Sequence, residues 1–161
     1  MPGTPEVAER PTAHPQLILA FDFGTRRIGV ASGDTLTRTA RELTTLERTR
    51  GSIPWDAIDR LVGQYEPAQF VVGLPYNMDG TPTLLTDASR AFGADLKNRY
   101  RTSVALVDER LSSREAEDQL RAARAAGLRR RRTTHADVDR AAARILLLRW
   151  FDDPAAAEIL R

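Results

Sequence analysis

Three groups of carboxylates in this chain stand where an acid needs a reason. Asp22 lies inside the apolar run Leu19-Ala20-Phe21-Asp22-Phe23-Gly24. If that run is a strand, Asp22 shares a face with Ala20, while Leu19, Phe21 and Phe23 point the other way. A carboxylate in a buried strand is costly unless it is paired or holds a cation, and Gly24 leaves room for a ligand to come close. The plainer account is an Asp that ends the strand and caps the next turn. Asp108 and Glu109 follow a second apolar run, Ser103–Val107, with Arg110 directly after them. Open α/β sheets gather ligands at strand C-terminal ends; a solvated ion-pair cluster is the competing account. Asp137 and Asp139 open a third segment, HADVDRAAARILLL. The helix dipole favours acids there and by itself explains one of them. The small Ala142 and Ala143 would let such a helix lie close to a sheet and bring Asp139 toward Asp22. Spacing alone separates neither Asp108 from Glu109 nor Asp137 from Asp139.

Taken together, a strand Asp, an acid at a later strand exit and an Asp on the last helix form an all-oxygen site. Carboxylates with water suit hard Mg²⁺ or Mn²⁺, as one or two ions. Such ions activate a water and stabilise the leaving oxygen when a phosphodiester is cut. Cations for the phosphate backbone stand close by in sequence: Arg26, Arg27 and Arg110 beside two of the acids, and Arg129, Arg130, Arg131 and Arg132 before the third. Between Arg121 and Arg132 there are six arginines and no acid, a candidate polyanion footprint. Lys97 is the only lysine; arginine forks match phosphate geometry, although codon bias explains the preference equally well. His14 and His135 read as tail and linker residues, and Ser32, Ser112 and Ser113 have no His–Asp partners for a triad. Neither a Walker A nor a GxGxxG pattern is present.

Positioning these groups requires an alternating fold. Gln16–Phe23, Ile28–Ser32 and Ala40–Leu46 read as strands, with Gly24–Arg27 as a turn. Trp55, Ile58, Leu61, Val62 and Tyr65 recur at helical spacing. Gln69–Leu74 and Ser103–Val107 read as buried strands. Thr81-Pro82 looks like an N-cap followed by proline at the first helical position, with Leu85, Ala88, Phe92 and Leu96 continuing a helix. Ser112 and Glu115 have capping-box spacing, Gly127 would end that helix, and Asp137–Phe151 is the last long helix. A meander followed by alternating helices and strands predicts an α/β fold with a mixed sheet.

The 161 residues fit one domain with one core. The hydrophobic fraction of 42% and charged fraction of 29% are ordinary for a globular chain. No apolar run approaches the length of a membrane span, and the N-terminus lacks a secretory pattern. With no cysteine, disulfides and thiolate chemistry are excluded; the expected compartment is the cytoplasm. Four of the nine prolines fall in residues 1–15, which read as a disordered extension. The domain is then residues 16–151, followed by a C-terminal tail, 152–161.

Four segments in order carry a resemblance: Phe21–Val30 (FDFGTRRIGV), Val71–Thr81 (VVGLPYNMDGT), Val107–Glu117 (VDERLSSREAE) and Asp137–Leu148 (DVDRAAARILLL). They resemble the YqgF family, also called RuvX, of RuvC-like nucleases with the RNase H-like fold. FDFGT alone is shared with sugar kinases and actin-like ATPases; VGLPYNMDGT followed by VDERLSS is the specific part. The resemblance implies a five-stranded mixed sheet with the first strand central. It implies a divalent-metal nuclease in which Asp22, Glu109 and Asp139 are the catalytic and metal-binding acids. Arg26, Arg27, Asn77, Arg110 and Arg129–Arg132 would border the nucleic acid. The family commonly carries lysines where this chain has Arg26 and Arg129–Arg132. RuvC resolvases carry their second acid on the strand that here ends in Gly73-Leu74. The implied role is 5′-end processing of precursor 16S ribosomal RNA, with a 5′-phosphate and a 3′-hydroxyl as products. The alternatives are resolution of four-way DNA junctions and a non-catalytic ribosomal-RNA-binding assembly factor. The expected partner is therefore RNA or branched DNA, bound by a monomer or homodimer. An actin-like ATPase would need a second such domain, for which this chain is too short.

Overall fold

A computed structural model describes residues 16–110, 118–122 and 134–161. The proline-rich extension, His14, the Ser112–Glu115 pair, Ser113, Gly127 and Arg129–Arg132 lie outside the described residues.

The meander forms as the alternation of its side chains requires. Strands β1 (Leu17–Phe23), β2 (Arg27–Asp34) and β3 (Thr39–Glu47) pair antiparallel in sequence. The β2–β3 register shifts between Val30 and Ala31. Helix α1 (Trp55–Tyr65) leads to β4 (Gln69–Leu74), which pairs parallel to β1. Helix α2 (Leu84–Tyr100) leads to β5 (Val104–Asp108), parallel to β4. Helix α3 spans His135–Asp152. Residues 118–122 are helical, and Leu120 packs against Ala141, Ala142 and Ile145 of α3. No helix among the described residues is long and apolar enough to cross a membrane.

Among the described residues the sheet has six strands in the order β3-β2-β1-β4-β5-β6, one more than expected. The extra strand is β6 (Glu158–Leu160), antiparallel to β5 with Leu160 opposite Val104. It falls in the residues expected as a tail. Three residues are too few to show a period in sequence, and the pairing is supplied by the open edge of β5.

Helix α2 begins two residues later than Thr81-Pro82 suggested. Thr81 is used in the preceding loop: its carbonyl accepts from the Asn77 amide at 2.9 Å, and its own amide donates to Asp79 at 3.0 Å. Pro82 bridges to Tyr76. Thr83 and Thr86 then cap each other's backbone at 3.2 and 2.8 Å, an arrangement worth about 1 kcal/mol. In α3 the cap is Thr134, and Asp137 completes the reciprocal box from the third position. Asp137 is thereby accounted for as a cap, fully buried and bonded to Arg140 at 2.5 Å.

Alternation along the strands sorts the core into two layers. Leu19, Phe21, Phe23, Phe70, Val72 and Leu106 face α1 and α2 and meet Phe92 and Leu96. Ile18, Ala20, Val71 and Ala105 face α3 and meet Leu146, Leu147 and Phe151. Asp22 continues the Ile18–Ala20 series and therefore points to the α3 side.

Candidate active site

Asp22 and Glu109 meet on the α3 side of the sheet, at the C-terminal ends of β1 and β5. Their strands are not neighbours; β4 lies between them. The gap is crossed because β4 presents Gly73 there. A Cβ on Gly73 would lie 2.1 Å from Glu109 Oε2, so the Glu109 side chain fills the space a side chain at 73 would take. The Glu109 amide donates to the Leu74 carbonyl at 3.1 Å and extends the ladder by one residue. Both residues are half-buried, and their carboxyls are hydrogen-bonded.

Burial raises the Asp22 carboxyl to about 6; the bond to Glu109 opposes that shift and the charge of Asp139 adds to it. Burial raises the Glu109 carboxyl to about 10, helped by the neighbouring charge of Asp22. Two close acids that leave water together cannot both ionise cheaply, so the pair retains a proton.

Asp139 approaches from α3. The residue opposite Asp22 on β2 is Gly29, and a Cβ there would lie 2.0 Å from the Asp139 carbonyl oxygen. The helix backbone thus rests directly on the sheet beside Asp22. Ala142 and Ala143, both buried, keep the next turn equally close. The Asp139 carboxylate accepts from Arg27 Nε at 2.8 Å. Among the described residues no three acids or histidines are grouped closely enough to hold one ion together. The donor set nonetheless fits a hard divalent cation in part. Asp22 and Glu109 offer converging oxygens, and the charge of Asp139, itself bonded to Arg27, acts on Asp22.

The other candidates fall into two groups. Asp108 points to the opposite side of the sheet from Glu109, because side chains alternate along β5. Burial pushes its carboxyl up, but the Arg110 guanidinium and amide outweigh that and hold it below the usual range. Arg110 is accordingly bound to Asp108 at 2.7 Å and reaches the Met78 carbonyl at 3.5 Å. Arg27 is joined to Asp139 rather than turned to solvent, whereas Arg26 is exposed in the turn after β1. Asn77 is exposed, and its side chain bonds Thr81 at 2.9 Å.

Three supporting residues escaped the sequence reading. Arg48 donates to the Gly24 carbonyl at 2.8 Å and lies 4.4 Å over the Phe23 ring, fixing the turn beyond Asp22. Arg149, on α3, donates to the Arg110 carbonyl at 2.9 Å and steadies the exit of β5. Gly29 could have been found: a glycine opposite an acid in a hairpin marks a close approach. Nothing local distinguishes Arg48 or Arg149 from the other arginines.

The comparisons with known proteins agree with this architecture. The profile of the RuvX family, described as "Holliday junction resolvase", matches residues 16–153. A Nitrosococcus oceani protein named "Putative pre-16S rRNA nuclease" is 42% identical over 139 residues, covering 86% of this chain and 88% of its own. A Yersinia enterocolitica protein of the same name is 44% identical over 138 residues, covering 86% and 96%. Among solved structures, Thermus thermophilus RuvC in complex with a Holliday junction substrate superposes with a TM-score of 0.54 at 14% identity, covering 90% of this chain and 99% of that one. The fold is therefore RuvC-like, within the RNase H-like class. The profile match and the relatives, similar along most of their own length, establish that this chain belongs to the RuvX family.

Proposed function

We propose that the protein is a divalent-metal-dependent nuclease whose reaction centre is Asp22, Glu109 and Asp139, and that its substrate is the 5′ flank of precursor 16S ribosomal RNA. The observation that carries this reading is the Asp22–Glu109 carboxyl pair, joined across Gly73, with the Asp139 backbone seated on Gly29 beside it. Pure binding of RNA gives no reason to bury acids where a phosphate would sit.

Asp22 and Glu109 would hold Mg²⁺ or Mn²⁺, with Asp139 as the third acid. When bound, the cation supplies the charge that lowers the pKa of the attacking water and stabilises the leaving oxygen. Asp22, central between the other two acids, orients the group being attacked. Arg27 holds Asp139 in place, and Arg48 fixes the turn that borders the strand exit. Arg26 and the Arg129–Arg132 run carry positive charge for the backbone of the nucleic acid.

A second reading is cleavage of four-way DNA junctions. The family description and the junction-bound RuvC neighbour favour it. Resolution cuts two strands symmetrically, which calls for a two-fold dimer; one RNA cut needs a single site.

The test incubates the protein and Asp22→Asn with Mn²⁺, a precursor 16S RNA fragment and a labelled four-way junction. RNA cleavage that drops at least about a hundredfold in the variant, with binding and folding kept, is the expected result. Paired symmetric nicks in the junction without RNA cutting would reverse the choice of substrate. Wild-type turnover by Asp22→Asn would remove the reaction centre altogether. Tight RNA binding with no cleavage of either substrate would leave an assembly factor.

A further inference from the structure

The geometry points to a nucleobase subsite across the tips of β4 and β5 from the carboxylate pair, one that takes an unpaired base next to the phosphate being cut. It deepens the nuclease reading and rests on it. A cavity of about 340 Å³ opens there, at the small end of the range for ligand pockets, roughly 300–1,000 Å³. Leu74 and Leu106 form its floor, and Tyr76, Asp108, Arg110 and Glu158 stand around it. Leu74, Leu106 and Asp108 all belong to the α1/α2 side of the sheet. Glu109, one residue beyond Asp108, turns to the other side. A strand of nucleic acid that crosses the sheet tip at this point therefore meets Glu109 and the cavity in succession.

The chemistry of the cavity suits a base better than a phosphate. Its two acids are each neutralised, Asp108 by Arg110 and Glu158 by Arg90, both at 2.7 Å. Together with Arg90, the described residues that line it therefore carry no net charge, and the lining itself gives an anion no net attraction. What remains is an apolar floor and a tyrosine wall for a ring face, with guanidinium donors and carboxylate acceptors at the rim for ring edges. These are the means by which unpaired bases are bound. The adjoining loop points the same way. Of the three large apolar side chains exposed among the described residues, Met78 lies in the loop after β4 and Leu84 opens α2. The Arg110 guanidinium reaches the Met78 carbonyl, which ties that loop to the cavity.

The decisive experiment changes the substrate before the protein. A series of RNA fragments carries a single abasic residue at successive positions around the cleavage point. Wild-type protein should show one adjacent position where the loss raises KM about 5- to 100-fold with kcat little changed. In Tyr76→Ala that penalty should shrink below about twofold, and in Tyr76→Phe, which keeps the ring, it should persist. A flat series, or a penalty that Tyr76→Ala leaves intact, overturns the subsite while leaving the Asp22-dependent nuclease standing. If no fragment is cut, the nuclease reading fails separately. The same series measured by equilibrium binding then decides the subsite, and the absence of any position-specific loss rejects it.

Discussion

On the side of the sheet covered by α1 and α2, the strands present Phe21, Phe23 and Phe70, and Phe92 descends among them with ring centroids 4.7–5.5 Å from Phe23 and Phe21. On the side covered by α3, the corresponding stretch presents Ala20, Gly29, Gly73 and Ala105. The first side separates helix from sheet with large rings and holds the fold by apolar burial. The second is thinned until a helix backbone touches a strand, and the acids occupy the narrow space that results. The large rings and the closely set acids thus lie on opposite faces of one sheet. A change among the rings should alter stability and spare the site, whereas a change beneath α3 should reach the proposed reaction centre as well as stability.

Phe92→Ala tests the thick face. It should cost about 3–5 kcal/mol of stability, read from denaturant unfolding, while the metal dependence and pH profile of the surviving activity stay unchanged. Gly29→Ala tests the thin face where the contact is backbone. The new methyl meets the Asp139 carbonyl, which cannot rotate away, so a loss toward the upper end of about 1–3 kcal/mol is expected, together with reduced activity as α3 lifts from Asp22. Equal activity in a stable Gly29→Ala protein would show that the close seating of α3 is not needed.

The pH dependence of the metal-free protein sharpens the comparison further. Asp22 and Glu109 keep protons in the folded state at pH values where the unfolded chain has released them. Their contribution is complete below the ordinary carboxylate range, near pH 4. It is lost as pH rises through about 6 and on toward about 10. In chelator, Tm should fall between about pH 5 and about pH 8, Asp22→Asn should flatten the fall, and Mn²⁺ should reverse it. A Tm that climbs over this interval would contradict the shared proton. The smallest change in stability belongs to Gly73→Ala. There the clash is with the end of a flexible side chain, so Glu109 swings aside and unfolding moves by less than about 1 kcal/mol. Cleavage should nevertheless drop roughly tenfold or more as the acid leaves Asp22.

Much of this arrangement could be read before the structure. The strand Asp was legible because an acid in an apolar alternation is costly, and its face followed from period two. The same alternation separates Glu109 from Asp108, but only once the strand is known to run one residue past Val107. Spacing did not separate Asp137 from Asp139, because both satisfy the helix dipole; the resemblance named Asp139, and the cap at Thr134 accounts for Asp137. β6 was hidden by its brevity. Arg27 illustrates a different limit: its charge was evident, but its partner comes from a helix more than a hundred residues away, and no local pattern encodes that pairing.

The late strand β6 has a consequence for how the molecule behaves in company. An open sheet has two edges, and each is a template on which another chain can pair. Among the described residues one edge consists of three residues and is short for seeding a partner. The other, β3, carries Arg41, Glu42 and Glu47 and follows the register break after Val30. Brevity on one side and charge with irregularity on the other discourage a further strand from pairing onto the sheet.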